Sequence, residues 1–227
     1  MTVSTIILAA GKGTRMKSPI PKILHRVAGK YLLKFSIDLA KELKSTELIV
    51  VVGKENEKVT RKALSDNEIK FCLQKNQLGT GDAAKIALIN LKSKSKHTLI
   101  LYGDTPFIKK GTIKRMISKA EKGFQFVFLG FQPHTKNSYG KFMLGPKMTL
   151  IDIIEKNEPG YSNSKHLSNS GILLAQSNVI TDLIKKVKNE NSKKEYYLTD
   201  LVKIAAEHGY SSTYVECKED ECLGVNS

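Results

Sequence analysis

At 227 residues the chain suits one large domain, or a core domain with an insertion, better than two full domains. Hydrophobic residues make up 41% and charged residues 26%, which excludes wholesale disorder and a collagen-like fibre. Thirty-seven Lys and Arg against 22 Asp and Glu give a net charge of +15, which points either to a polyanionic partner or to a lysine-rich surface. The surface reading is the simpler one. The lysines are scattered, with small clusters at Lys92-Ser93-Lys94-Ser95-Lys96 and Lys193-Lys194. There is no Trp, and no basic stretch is interleaved with aromatics, so no nucleic-acid partner is expected. No apolar run reaches the roughly 18 residues of a membrane span, so no membrane partner is expected. Met1-Thr2-Val3-Ser4-Thr5 lacks the basic region of a signal peptide. The odd count of cysteines (Cys72, Cys217, Cys222) argues against a disulfide framework and for a reducing, cytoplasmic setting.

In chain order, Ile6-Ile7-Leu8-Ala9-Ala10 reads as a buried parallel strand running into glycines. Residues 31–43 have helical spacing, and Leu48–Gly53 is a β-branched strand ended by glycine. A charged helical stretch runs to about Leu64, a strand covers 69–73, a helix 80–91 and a buried strand 98–102. This alternation predicts an α/β, Rossmann-like fold: a mostly parallel mixed sheet with helices on both faces. After residue 123 the pattern changes. A strand is expected over 124–131, a hairpin or twisted ribbon over 139–155 around Gly145-Pro146, and a further apolar stretch over 167–174. Helices follow near 178–188 and 199–208, the latter with Thr199 as N-cap and Gly209 just past its end. A strand-like Ser212-Thr213-Tyr214-Val215 closes the pattern. There is no internal repeat. The polar stretch Asn157–His166 is the best linker candidate and reads as a loop over a site.

Open α/β sheets bind ligands beyond the C-terminal strand ends, which directs attention to Gly11–Lys22, Gln74–Thr80 and Gly103-Asp104. In the first of these, Leu8-Ala9-Ala10-Gly11-Lys12-Gly13-Thr14-Arg15-Met16, the glycines let backbone N–H groups approach phosphate oxygens. Arg15 and Lys22 add charge suited to a triphosphate. A GxxxxGK phosphate loop would need glycine where Ile6 stands, and a dinucleotide fingerprint would need a small residue where Met16 stands. Gln74 offers a donor and an acceptor that can match a pyrimidine imide. Asp104 supplies a hard oxygen ligand suited to Mg²⁺, or else a turn-forming carboxylate. Cys217-x4-Cys222 with His208 fits no common zinc spacing.

The loop, followed by Pro21-Lys22, resembles the signature of the sugar-1-phosphate nucleotidyltransferases. Further segments resemble the uridylyltransferase half of the bifunctional bacterial enzymes that make UDP-N-acetylglucosamine. They are Gln74…Gln77-Leu78-Gly79-Thr80-Gly81, Leu101-Tyr102-Gly103-Asp104, Tyr139-Gly140, Ile154-Glu155, Asn169-Ser170-Gly171, Glu195-Tyr196-Tyr197-Leu198-Thr199-Asp200 and Gly224-Val225-Asn226. They occur in family order over nearly the whole chain.

The resemblance implies a nucleotide-diphospho-sugar transferase fold over residues 1–227, with a nucleotide part (about 1–110) and a sugar part (about 111–227). It implies uridylyl transfer from UTP to a sugar 1-phosphate, foremost N-acetylglucosamine 1-phosphate, with Mg²⁺ as cofactor. Arg15 and Lys22 would then be catalytic. Leu8, Ala9, Ala10, Gly11, Gly13, Thr14, Gln74, Gly79 and Thr80 would bind nucleotide. Tyr102, Gly140, Glu155 and Asn169 would bind sugar, and Asp104 and Asn226 would hold the metal. Tyr196 and Tyr197 read as packing or loop-fixing residues. Full-length relatives continue into a hexapeptide-repeat β-helix carrying an acetyltransferase. This sequence has no such repeat and ends one residue after Asn226, so it is expected to be a stand-alone pyrophosphorylase or a truncated chain. The alternatives are a related cytidylyl- or guanylyltransferase and a non-catalytic nucleotide-sugar binder.

Overall fold

The computed structural model describes residues 2–13, 16, 18–162 and 166–224. Strand β1 (Val3–Ala9) is buried along its whole length. It is followed by the two-residue strands β2 (Arg26–Val27) and β3 (Lys30–Tyr31), helix α1 (Leu32–Glu42), β4 (Leu48–Gly53), α2 (Glu57–Ala63), β5 (Ile69–Gln74), α3 (Thr80–Asn90) and β6 (His97–Tyr102). The second half contains α4 (Lys110–Glu121), β7 (Phe126–Phe131), β8 (Lys141–Leu144), β9 (Leu150–Ile154), β10 (Ser168–Gln176), α5 (Ser177–Leu183), α6 (Leu201–Glu207), β11 (Ser212–Cys217) and the single turn α7 (Glu219–Cys222).

One nine-stranded sheet organises the described residues, in the order β11-β7-β10-β6-β1-β4-β5, with β8 and β9 as a ribbon off β10. The pairs β1·β4, β1·β6, β4·β5 and β7·β11 are parallel, while β10 runs antiparallel between β6 and β7. This is the predicted mixed, mostly parallel sheet. Alternate residues of each strand feed two cores, as the period-2 geometry of a strand demands. Ile7, Val50 and Leu101 pack with Leu33 and Ile37 of α1 and Ile113 and Met116 of α4. Ile6, Val51 and Ile100 face Ala83, Ala84 and Ala87 of α3 and Leu201, Val202 and Ala205 of α6. Both faces are therefore covered, and a strand buried on both faces reads as the continuous apolar run seen in β1 and β4.

Two local readings need correction. Helix α4 was not anticipated by the periodicity. Its core face is only Thr112, Ile113, Met116 and Ala120, in a lysine-rich segment with Gly111 near its start. Thr199 is not an N-cap. A 3-10 turn (Leu198–Asp200) precedes α6, and the Thr199 hydroxyl donates instead to Glu155 Oε1 at 3.1 Å. Gly209 does end α6 in the left-handed region (φ 75°). Its N–H bonds Ala206 O at 3.1 Å and the Tyr210 N–H bonds Ala205 O at 2.9 Å, the paired bonds of a Schellman end.

Candidate active site

The order of strands reverses at β1, with β4 on one side and β6 on the other, so the crevice beyond Ala9 is where such a sheet holds a ligand. Side chains from other loops set the start of the glycine turn there. Asn56, buried, accepts from Gly53 N–H at 2.9 Å and donates to Ala9 O at 3.0 Å. Gln77 donates to Ala10 O. Gly13 sits at φ 60°, and a Cβ there would lie 2.8 Å from Lys22 Cβ, so glycine lets the loop close on Lys22. Neither Asn56 nor Gln77 was given a role from the sequence. They lie 47 and 67 residues from the carbonyls they hold; Gln77 stands within a segment the resemblance already marked, whereas local pattern carries no signal of Asn56.

Gln74, the last residue of β5, is 3% exposed, and its amide donates to Gly79 O at 3.1 Å and Asp82 Oδ2 at 2.8 Å. The Gly79-Thr80 turn is strapped from above by the segment Glu195–Leu198. Tyr196 N–H donates to Leu78 O and Gly81 N–H to Tyr196 O, both at 2.8 Å, and Leu198 N–H donates to Thr80 Oγ1 at 3.1 Å. Gly79 adopts φ 109° with its missing Cβ 2.5 Å from Tyr196 O, so no other residue fits beneath the strap. Tyr196 fixes the loop, as the sequence suggested, and does so through its backbone.

Lys22, in a 3-10 turn (Lys22–Leu24), donates from Nζ to Asp104 Oδ2 at 2.5 Å, two residues beyond β6. Both side chains are largely shielded, at 12% and 29% exposure. A cation and a carboxylate thus meet at the end of the strand beside β1.

A cavity of about 440 Å³ joins these parts. Leu8, Ala9, Ala10, Gly11, Gly13, Lys22, Gln74, Gly79, Thr80, Tyr102 and Asp104 all line it, together with Lys12, Gln77 and Glu195. Gly140, Glu155 and Asn169 do not line this cavity but form their own cluster. Asn169 N–H bonds Gly140 O at 2.8 Å, and a Cβ on Gly140 would lie 3.1 Å from Glu155 Oε1. Tyr102 stands between the two groups. Burial pushes its phenol above the ordinary range, the negative charges of Glu155 and Asp104 push it further, and a hydrogen bond with Thr80 opposes them. Burial raises the Glu155 carboxyl, against the Thr199 hydrogen bond. The charges around it are mixed: Lys193 favours its ionised form and Glu158 opposes it. Asp200 is pushed up to about 6 by burial first, then by Asp152, Glu155 and Glu158.

Thr14, Arg15 and Asn226 lie outside the described residues. Among the described residues no three His, Cys, Asp or Glu side chains converge on a point that could hold a metal. One carboxylate at the cavity's edge still fits Mg²⁺, which takes one or two protein groups and fills its octahedron with waters and phosphate oxygens. No helix among the described residues is long and apolar enough to cross a membrane.

A glycine turn at the switch point, a glutamine and a strapped turn, and a paired Lys and Asp thus face one cavity. Residues 5–160 match the model of the MobA-like NTP transferase domain, and the chain belongs to that family of nucleotidyltransferases. It is similar to the bifunctional protein GlmU of Paramagnetospirillum magneticum, at 36% identity over 99% of this chain and 50% of the relative. The GlmU of Ruegeria sp. is 38% identical over 100% of this chain and 51% of the relative. That of the Wolbachia of Brugia malayi is 37% identical over 98% and 54%. The chain therefore spans about half the length of the curated relatives it matches. The fold is shared with a Bacillus anthracis protein named as a glucose-1-phosphate thymidylyltransferase and solved with sucrose. Its TM-score is 0.77 and its identity 19%, over 95% of this chain and 87% of that one.

Proposed function

We propose that the protein transfers a uridylyl group from UTP to a sugar 1-phosphate, foremost N-acetylglucosamine 1-phosphate, in the cytoplasm. The observation that carries this reading is the convergence of the glycine turn, Gln74, Gly79-Thr80, Lys22 and Asp104 on one cavity, with Tyr102 leading from it to Gly140, Glu155 and Asn169. Likeness to the GlmU proteins over the whole chain supports it.

The nucleophile is an oxygen of the sugar phosphate, already anionic at neutral pH, so the protein need not remove a proton. That oxygen forms a bond to the α-phosphorus of UTP as the bond to the departing pyrophosphate breaks. The residues have two tasks: to hold nucleophile, phosphorus and leaving group in line, and to neutralise the charge that develops. Lys22 and Arg15 serve the second. Asp104, with Asn226, would hold Mg²⁺, which would supply positive charge to offset the charge developing on the phosphates. Gly140, Glu155 and Asn169 position the sugar, Glu155 by accepting from its hydroxyls.

The test is product analysis. Incubation with UTP, Mg²⁺ and N-acetylglucosamine 1-phosphate should yield the UDP-sugar by mass, with one pyrophosphate per turnover and no burst. Glucose 1-phosphate should serve less well. Absence of any UDP-sugar, or a uridylylated protein trapped from UTP alone, would refute the reading.

A further inference from the structure

The two hydrogen bonds of Gln74 fix more than its place. Its Nε2 donates to Gly79 O and to Asp82 Oδ2. A carbonyl oxygen and a carboxylate oxygen have no hydrogen to give, so both neighbours can only accept. Turned over, the amide would set its oxygen against two acceptors and lose both bonds, at a position only 3% exposed. The usual ambiguity of a glutamine amide is thus settled by chemistry. Both acceptors are themselves held. Gly79 is pinned at φ 109° under Tyr196. Asp82 sits in the first turn of α3, where free backbone N–H groups favour a carboxylate. Gln74 lines the cavity with its nitrogen engaged, so its oxygen is the polar atom left for a ligand.

We infer that Asp82 is a positioning residue for base choice: by holding the Gln74 nitrogen it commits the Gln74 oxygen to the cavity, which then selects a base offering an N–H. This rests on the uridylyl reading above. Uracil presents the N3 hydrogen between two carbonyls and meets that oxygen as a donor. Cytosine has a lone pair at N3, and the approach sets two acceptors face to face. Asp82 touches no substrate and acts through Gln74.

The experiment measures equilibrium binding of UTP and CTP by calorimetry, with KM for each, in wild type and in Asp82→Ala, Asp82→Asn and Asp82→Glu. Alanine removes one of the two acceptors that hold the amide and leaves Gly79 O alone to oppose its turning. Asparagine can offer its own N–H to a reversed amide, again with only Gly79 O opposed to the turn. Glutamate remains an acceptor only. The UTP:CTP ratio should fall by roughly fivefold or more in the alanine and asparagine variants, the weight of about one net hydrogen bond. It should stay within about threefold of wild type in Asp82→Glu, since an acceptor is retained. A merely structural role would weaken both nucleotides together and leave the ratio in place. Ratios within twofold of wild type in both Asp82→Ala and Asp82→Asn would overturn the inference. The asparagine variant, nearly isosteric, serves if alanine does not fold. The wild-type ratio judges the uridylyl reading, and the change in ratio judges Asp82.

Discussion

The cavity beyond β1 and the Gly140–Glu155–Asn169 cluster differ in what is held and what does the holding. In the cavity, side chains grip the backbone: Asn56 takes Ala9 O, Gln77 takes Ala10 O and Gln74 takes Gly79 O. In the cluster, Thr199 grips the Glu155 carboxylate, and the backbone bond from Asn169 N–H to Gly140 O ties β10 to the residue just before β8. The electrostatics differ as well. The cavity carries a cation and a carboxylate already paired. In and beside the cluster, burial pushes up the carboxyls of Glu155 and Asp200, and neighbouring carboxylates push Asp200 further. The contrast fits the proposed ligands. A triphosphate is met by a shaped main chain and positive charge, whereas sugar hydroxyls are met by a few buried acceptors.

The largest effects are expected where charge develops. Lys22→Ala should lower kcat by about 10²–10³-fold, the scale of one preorganised electrostatic contact. Asp104→Asn should match it in turnover while UTP binding survives. Unchanged kcat in either variant would break the distinction between the two regions. Gly79→Ala tests the shaped main chain instead. A Cβ 2.5 Å from Tyr196 O at φ 109° should lower the melting temperature by about 5–15 °C and weaken UTP binding.

Smaller effects are expected in the cluster. Thr199→Val removes the hydroxyl that holds Glu155 and should raise KM for the sugar phosphate roughly three- to tenfold, with KM for UTP little changed. Equal rises for both substrates would erase the assignment of separate regions. The smallest effect is on stability. Asp200 is raised to about 6 from its ordinary 3.8, so between those values the folded chain keeps a proton that the unfolded chain has lost. Stability therefore falls as pH rises through that window, and the cost is fully present above it. Asp200→Asn should raise the melting temperature by about 1–4 °C at pH 7.5, and the gain should vanish about one unit below the unfolded value, near pH 3. A gain that persists at about pH 3 would mean that the carboxyl's charge is not its cause.

Much of the scaffold was legible because strands such as β1 and β4 are buried on both faces and announce themselves as apolar runs. Helix α4 was not, because its narrow core stripe is diluted by lysines. The first loop and Asp104 follow strand ends and Gln74 is the last residue of β5, places where topology alone makes residues suspect. The strap formed by Glu195–Leu198 over Leu78–Gly81 joins segments more than a hundred residues apart, and Thr199 is a weak cap in sequence but a ligand of Glu155 in space. Such contacts leave no period in the sequence. Asp82 is a further case: an acidic first-turn residue is ordinary, and only its contact with Gln74 gives it meaning.

The most direct test of uridylyl transfer is pyrophosphate release from each of the four nucleoside triphosphates by the wild-type protein, with one sugar 1-phosphate and Mg²⁺ held fixed. UTP should be preferred over CTP by at least about tenfold in kcat/KM, since roughly 1.4 kcal/mol makes one decade and a mismatched buried group costs about 1–3 kcal/mol. A protein that uses CTP or GTP better than UTP would contradict the account and favour a cytidylyl- or guanylyltransferase.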